Sequence, residues 1–148
     1  MNSLFIHIKA VVEQDGRFLI LKHWMDDRIM DPYSWEFIDT EMEAGESPEQ
    51  AALRAVLENT GSEGSITDTL YTWTNMLGDR QCVGIAFLVH LSEHDPTIQI
   101  GEEYCGYEWI TLDAFEQYID NRNVVKDLTR TLTAARKAGI IQETTPQS

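Results

Sequence analysis

Residues 35–61, WEFIDTEMEAGESPEQAALRAVLENTG, predict a short strand, an acidic loop and a helix. Ser47 can cap the N-terminus of the helix, Pro48 suits its first turn, and Gln50 stands where the partner of a capping box belongs. Gly61 can adopt the left-handed conformation that ends a helix. Six acidic residues of this stretch precede Gln50, most of them in the loop. Carboxylates in such a loop indicate a site for a hard cation.

Residues 40–62 resemble the signature of the Nudix hydrolases, G-x5-E-x7-R-E-U-x-E-E-x-G-U, in which U is a bulky aliphatic residue. Five of the nine specified positions agree, namely Glu46, Arg54, Val56, Glu58 and Gly61. Four depart, namely Thr40, Ala55, Asn59 and Ser62. The flanking WEF and EAGESPEQAALR are also typical of this family. The resemblance implies an α/β fold, a Nudix-like α/β/α sandwich with a mixed β-sheet.

The departures on the helix bear on metal binding, because positions 55, 58 and 59 share one helix face. In the resembled family, glutamates at these positions converge on Mg2+ or Mn2+, whereas here the residues are Ala55, Glu58 and Asn59. The resemblance therefore implies a weakened site with Glu58 and Asn59 as metal ligands. The backbone carbonyl of Thr40 can replace the family's glycine carbonyl. Losing even an outer partner typically costs about 10–100-fold in metal affinity or activity.

Residues 101–115, GEEYCGYEWITLDAF, resemble a second landmark of the family. By that resemblance Glu103, or its neighbour Glu102, occupies the position of a further metal ligand or of the base that activates water. Attack on a phosphoanhydride needs a water that loses its proton, so we expect Glu58 and Glu103 to be catalytic. A solvated strand edge is the alternative interpretation of two adjacent glutamates.

Other site residues also follow from the resemblance. It implies that Arg54 and Glu46 support the ligands rather than bind substrate. Glu43 or Glu46 could instead move in as a substitute ligand. The loop before residue 35 either shapes the substrate pocket or merely covers the core, and its candidates for contact with a base or a phosphate are Trp24, Arg28 and Tyr33.

Charge and composition limit the kinds of partner that the protein can bind. The formal net charge is −14, which argues against a broad basic face for nucleic-acid polymers or anionic membranes. No apolar run approaches the roughly 18 residues needed to span a bilayer, and the N-terminus lacks the pattern of a signal peptide. Cys82 and Cys105 show no disulfide or metal-ligand spacing, so we predict two buried thiols and a cytoplasmic protein. The resemblance leaves a homodimer open.

The rest of the chain predicts strands and helices in an order that suits this fold. Asp15 and Gly16 predict a type I′ hairpin. Strands are predicted at residues 4–14, 17–23, 65–75, 81–92 and 107–111. Helices are predicted from Thr111 or Asp113, and from Asn123 to Gly139. We expect a single domain over residues 1–140 and a C-terminal tail at 141–148.

Two functional hypotheses result. The first is a Nudix-type hydrolase that uses divalent metal-activated water to cleave a nucleoside diphosphate linked to another moiety. The second is a catalytically inactive module of the same fold that binds a nucleotide or a protein partner. The helix positions Ala55 and Asn59 favour the second, and the surviving Glu58 favours the first.

Overall fold

The computed structural model describes residues 3–23, 35–94 and 96–142. Seven strands and three α-helices lie in these residues. The strands are β1 (Ser3–Gln14), β2 (Arg17–His23), β3 (Trp35–Glu36), β4 (Ile38–Glu41), β5 (Gly64–Leu77), β6 (Arg80–Leu91) and β7 (Tyr104–Thr111). The helices are α1 (Pro48–Thr60), α2 (Phe115–Tyr118) and α3 (Arg122–Lys137), and a 3-10 turn (Leu112–Ala114) leads into α2.

The strands form a mixed sheet centred on β1, which confirms the predicted architecture. Its order is β3-β2-β1-β6-β5, with β4 also paired to β1 and β7 paired to β2. β1 and β6 run parallel, and the other pairs are antiparallel. The long connection between the parallel strands carries α1, as a parallel crossover requires.

The β1–β2 hairpin and the helix α1 form as the sequence predicts. Asp15 and Gly16 have φ values of 53° and 81°, the positive pair that a type I′ turn needs. The Ser47 side chain accepts a hydrogen bond from the backbone of Gln50, and the Gln50 side chain bonds back to the backbone of Ser47. Gly61 ends the helix with φ of 75°, and its N–H donates to the carbonyl of residue 57.

Two hydrophobic clusters cover the two faces of the sheet. The first lies under α1 and contains Ala51, Ala52, Ala55 and Val56 with alternate residues of β1 and β6. The second lies under the C-terminal helices, where Phe115 packs edge-on against Phe18 and Phe37. Each face is therefore closed by helices, which is the α/β/α arrangement.

The C-terminal region differs in detail from the prediction. The helix expected from Thr111 or Asp113 is a 3-10 turn followed by the four-residue α2. α3 begins at Arg122, because the Asn121 side chain accepts from two backbone N–H groups and caps it. Ile141 belongs to the second cluster and is buried, although the sequence suggested a tail from that residue. The folded domain therefore reaches at least residue 141.

Three further predictions concern cysteines, membrane spans and the pocket loop. Cys82 is buried, but Cys105 is only half-buried, because its strand lies at an edge of the sheet. None of the helices in the described ranges combines the length and apolarity that a bilayer crossing requires. The loop candidates Trp24, Arg28 and Tyr33 lie outside the described residues.

Candidate active site

Arg54 is the centre of the loop-helix motif. Its Nε donates to Oε2 of Glu46 at 2.7 Å, and its Nη2 donates to Oε1 of the same carboxylate at 3.0 Å. Nη2 also reaches the backbone oxygen of Glu41 at 3.2 Å and the Thr40 hydroxyl at 3.4 Å. A bidentate arginine-carboxylate pair fixes both direction and distance. The expected contact between Arg54 and Glu46 is present, and it ties the acidic loop to α1.

The contact between Arg54 and Glu46 shifts the pKa values of both side chains. The hydrogen bond from Arg54, and another from the backbone N–H of Glu43, hold the pKa of Glu46 below its usual range. The Glu46 hydrogen bond also raises the pKa of Arg54. Glu43 itself is largely exposed and lies 4.0 Å from the guanidinium. Glu46 is thus engaged with arginine rather than available as a substitute ligand in this arrangement.

Glu58 lies apart from the other two positions of the predicted helix face. Its side chain is 60% exposed and its Oε2 lies 3.6 Å from Nη1 of Arg54. Ala55 and Asn59 are 1% and 5% exposed. At about 100° per residue the three positions span roughly 100° of the helix circumference, with Ala55 in the middle. The three positions therefore share one side of α1, but Ala55 and Asn59 face the protein interior and only the Glu58 side chain reaches solvent.

Asn59 is held in a single orientation. Its Nδ2 donates to the carbonyl of Ala55 at 2.8 Å, inside the protein. Because that bond uses the amide nitrogen, Oδ1 points the other way, toward Gly101. A buried amide with a fixed oxygen is suited to accept a hydrogen bond or to contact a cation.

Residues 98–103 bring a second group of oxygens to the end of α1. The backbone N–H of Gln99 donates to the carbonyl of Thr60 at 2.8 Å, which joins this segment to the last turn of the helix. A Cβ atom added to Gly101 would lie 3.0 Å from Oδ1 of Asn59 and 3.8 Å from Oε1 of Glu103. It would also lie 3.8 Å from the backbone oxygen of Glu58. Oxygens of Asn59, Glu103 and Glu58 therefore all lie within 4 Å of the position that a Gly101 Cβ would take, and Gly101 approaches Asn59 closely because it has no side chain.

Tyr104 connects Glu103 to the centre of the molecule. Its hydroxyl donates to Oε1 of Glu36 at 3.4 Å, and the same Glu36 oxygen contacts Nε2 of His23. Burial raises the pKa of Tyr104 well above its usual range, and the nearby carboxylates of Glu36 and Glu103 act in the same direction. Tyr104 therefore stays protonated and donates its hydrogen bond at neutral pH.

Thr40, the remaining predicted ligand, lies in β4 opposite Ile8. Asp15 is the one non-glycine residue with positive φ in the described ranges, so Thr40 adopts an ordinary strand conformation without glycine's freedom. Its hydroxyl faces Arg54. The substitution of the family's glycine therefore leaves this part of the backbone unstrained.

Asn59, Glu103 and the backbone of Glu58 supply oxygen atoms, the ligand chemistry that a divalent cation takes. Mg2+ prefers oxygen ligands and commonly uses only one or two carboxylates together with substrate phosphates. Asn59, Glu103 and the Glu58 carbonyl supply two neutral oxygens and one carboxylate. Within the described ranges no three histidine, cysteine, aspartate or glutamate side chains are grouped for metal binding. A three-carboxylate site is thus missing from the described residues.

The sequence analysis missed a polar cluster on the opposite face of the sheet. Nζ of Lys9 donates to Oδ1 of Asp39 at 2.8 Å, and Nε2 of His7 lies 2.9 Å from the same oxygen. The Lys9 side chain is only 8% exposed and that of Asp39 only 18%. The sign of this cluster in the sequence was Lys9, a lysine within a largely apolar stretch of β1. Lys9 and Asp39 line a cavity of about 210 Å3, together with Trp35, Glu36, Phe37, Ile119, Asp120, Asn121 and Val124.

Known proteins share this fold. The NUDIX domain family matches residues 6–131. The E. coli ORF135 protein superimposes with a TM-score of 0.74 at 22% identity, over 93% of this chain and 94% of that one. An ADP-ribose pyrophosphatase from Streptococcus suis gives 0.69 at 14% identity, over 89% and 92% of the two chains. A C. elegans Ap4A hydrolase gives 0.69 at 19% identity, over 92% and 98%.

An octanoyltransferase from Myxococcus xanthus is 32% identical over 80 residues. That match spans 51% of this chain but only 22% of the relative's length. The family match covers most of the present chain. The chain belongs to the Nudix domain family.

Proposed function

We propose that this protein is a Nudix-type hydrolase that cleaves a phosphoanhydride bond of a nucleoside diphosphate linked to another moiety. Water attacks phosphorus, the P–O–P bond breaks, and two phosphorylated products leave. The observation that carries the proposal is that Asn59 Oδ1 and Glu103 Oε1 both lie within 4 Å of the position a Cβ on Gly101 would take, at the end of the helix that Arg54 anchors. Family membership supports the reaction class, whereas fold alone does not define the substrate.

We assign the residues as follows. Asn59, Glu103 and the backbone carbonyl of Thr40 would hold Mg2+ or Mn2+, together with the carboxylate of Glu58 once it turns from Arg54 toward the ion. When bound, the ion would lower the pKa of a water and offset charge on the phosphoryl oxygens. Glu103 lies at the surface and can take the proton from the attacking water. Arg54 and Glu46 keep the acidic loop against α1.

The cavity lined by Lys9 and Asp39, on the face of the sheet opposite α1, has room for a small ligand. It adjoins Glu36, which Tyr104 joins to the segment carrying Glu103. Trp35 and Phe37 offer apolar walls, and Lys9 and Asn121 offer donors, a combination that suits a planar polar ligand. The absence of polymer and membrane partners, and the cytoplasmic location, remain predictions that follow from the acidic composition and the cysteines.

The alternative is an inactive module that binds a nucleotide or a protein partner. Two observations favour it. Ala55 is packed into the core and supplies no ligand, and the carboxylate of Glu58 faces Arg54 instead of Asn59. A site with one carboxylate near two neutral oxygens should hold a divalent ion more weakly than the three-glutamate site of the family.

Hydrolysis of a nucleotide panel separates the two functions. Purified protein is incubated with nucleoside triphosphates, ADP-ribose and dinucleoside polyphosphates, with Mg2+ or Mn2+, and released phosphate and nucleotide are measured. We expect turnover that falls at least about 100-fold in Glu103→Gln and in Glu58→Gln. Glu49→Gln, which removes an exposed carboxylate from the first turn of the same helix, is the matched control and should retain full activity.

Nucleotide binding without turnover, unchanged by a chelator, would establish the module instead. Turnover that survives both glutamine variants would refute our assignment of the catalytic carboxylates.

A further inference from the structure

Glu13, His90 and Thr67 form a hydrogen-bonded relay that the proposed hydrolysis does not use. Oε2 of Glu13 contacts Nε2 of His90, and Nδ1 of His90 contacts the Thr67 hydroxyl. Val11, two residues before Glu13 on β1, belongs to the second hydrophobic cluster. Because side chains alternate along a strand, Glu13 faces the same side of the sheet, which is the side opposite α1.

Glu13 is a buried carboxylate that holds the imidazole in place. Its side chain is only 3% exposed. Oε1 accepts a hydrogen bond from the backbone N–H of Gly16 at 2.8 Å, which leaves Oε2 for His90. A buried charge is stable only where hydrogen bonds or an opposite charge compensate it. The contact between Glu13 and His90 therefore keeps the imidazole in one orientation.

The contacts also assign the protons of the relay. An ionised carboxylate only accepts hydrogen bonds, so Nε2 of His90 carries the proton that faces Glu13. In a neutral imidazole Nδ1 is then the acceptor, and the Thr67 hydroxyl donates to it. A hydroxyl that donates to an imidazole, which a carboxylate orients in turn, is the arrangement that activates a nucleophile.

Thr67 lies where a reagent can reach it. The register of β5 on β6 shifts between Ile66 and Asp68, and Thr67 is the additional residue of this bulge. Bulges re-aim side chains and are frequent next to active sites. Thr67 is exposed, the His90 side chain is 32% exposed, and Glu13 is buried. Exposure thus increases from the orienting carboxylate to the hydroxyl, as a reactive hydroxyl requires.

A cavity of about 440 Å3 adjoins the relay. Its lining includes Glu13 and His90, together with Asp15, Glu93 and His94. The volume lies within the roughly 300–1,000 Å3 of small-molecule pockets. The carboxylates of Asp15 and Glu93 bring negative charge to the cavity, so it favours an uncharged ligand over an anionic one.

We propose that Thr67 is a nucleophile that takes an acyl group from an uncharged, activated ester, with His90 as the base and Glu13 as the residue that positions the base. Oγ of Thr67 bonds to the carbonyl carbon of the ester, and the hydroxyl proton passes to Nδ1 of His90. The bond between that carbon and the alkoxide oxygen then breaks, and His90 gives the proton to the leaving alkoxide. The products are an O-acyl threonine and an alcohol.

Acylation by para-nitrophenyl acetate tests the proposal. The full-length protein is incubated with the ester and a chelator, so that metal-dependent hydrolysis makes no contribution, and acetylated residues are mapped by peptide mass spectrometry. We expect Thr67 to be acetylated at least about 100-fold faster than Thr72, another exposed threonine of β5. The test is independent of nucleotide hydrolysis, because the proposed acylation needs no metal and lies on the opposite face of the sheet from α1.

Threonine variants show whether the hydroxyl is the reacting group. Thr67→Val keeps the shape of the side chain but removes the hydroxyl, so we expect it to lose the burst of nitrophenolate release. Thr72→Val is the matched control and should keep the burst. Thr67 that stays unmodified in the wild-type protein, or that reacts no faster than Thr72, would overturn the proposal.

Two further variants test the groups behind the hydroxyl, with thermal unfolding to confirm that each is folded in the assay. His90→Gln should slow the acetylation of Thr67 at least about 100-fold, because the base is lost. Glu13→Gln should slow it as well, since the amide can donate to Nε2 and favour the other tautomer. Nitrogen NMR shifts of the His90 ring report that change of tautomer, which a merely structural role of Glu13 would not produce. An unchanged rate in His90→Gln, or an unchanged tautomer in Glu13→Gln, would overturn the relay.

Discussion

Replacing Asn59 with aspartate separates the structural role of this residue from its role as a ligand. The change removes the 2.8 Å hydrogen bond from Nδ2 to the Ala55 carbonyl, at a net cost of about 1–3 kcal/mol for a buried group. It also puts a carboxylate in the last turn of α1, where the helix dipole disfavours it by about 0.3–1 kcal/mol. We expect the metal-free variant to lose about 1–4 kcal/mol, or roughly 3–15 °C in Tm.

Metal binding should reverse part of this loss. A carboxylate oxygen in place of the amide oxygen beside Glu103 adds a charged ligand to the site. We expect at least about tenfold tighter binding of Mn2+, which corresponds to about 1.4 kcal/mol. Since a bound ligand stabilises the folded state by mass action, the rise in Tm on adding Mn2+ should exceed that of the wild type by about 3–6 °C.

Thermal unfolding with and without Mn2+, supported by calorimetric titration, checks both values. Asn59→Leu is the matched control, because it loses the same hydrogen bond but gains no carboxylate. The Asn59→Leu variant should be destabilised, and its rise in Tm on adding Mn2+ should not exceed that of the wild type. Equal increases in Tm for the wild type and the aspartate variant would refute the placement of Asn59 at a cation site.

Three further predictions concern stability. Lys9→Met should lower the free energy of unfolding in urea by about 2–3 kcal/mol. This is less than the usual loss of about 3–5 kcal/mol for a broken buried pair, because Asp39 keeps some exposure and its contact with His7. Adding Asp39→Leu to this variant should restore part of the lost stability. Although burial raises the pKa of Asp39, Lys9 and His7 lower it overall. The contribution of Asp39 to stability is therefore complete above the ordinary pKa of 3.8 and is lost as the pH falls through the lower folded value. Urea unfolding across a pH series should show this loss of stability in acid, and a flat curve in that range would contradict it. Ser47→Ala should lower the stability by about 1 kcal/mol in the same assay, and an unchanged midpoint would contradict the capping role.

Much of the fold was predictable because its signals are local. The hairpin at Asp15 and Gly16 depends on the dihedral angles of two adjacent residues. The start of α1 depends on Ser47 and Gln50, which bond each other's backbone three residues apart. The roles of Glu46 and Arg54 came from the family resemblance rather than from a local pattern, and the two residues do contact each other. The Nudix motif added the order of layers to these local elements.

The composition of the site was only partly predictable. The sequence names Glu58 and Asn59 as neighbours, but the orientation of each side chain depends on how α1 packs on the sheet. Packing turned Ala55 and Asn59 inward and left Glu58 beside Arg54. The approach of Gly101 to Asn59 depends on a hydrogen bond between Gln99 and Thr60 that no local pattern predicts.

The sequence by itself determined the elements and the family, because capping, turn chemistry and the spacing of the motif act over a few residues. Tertiary structure decided which oxygens meet and which charges are buried. Lys9 and Asp39 are 30 residues apart and pair because β1 and β4 lie side by side. Such contacts arise from strand register and helix packing, which are set by the burial of the whole core rather than by any single segment.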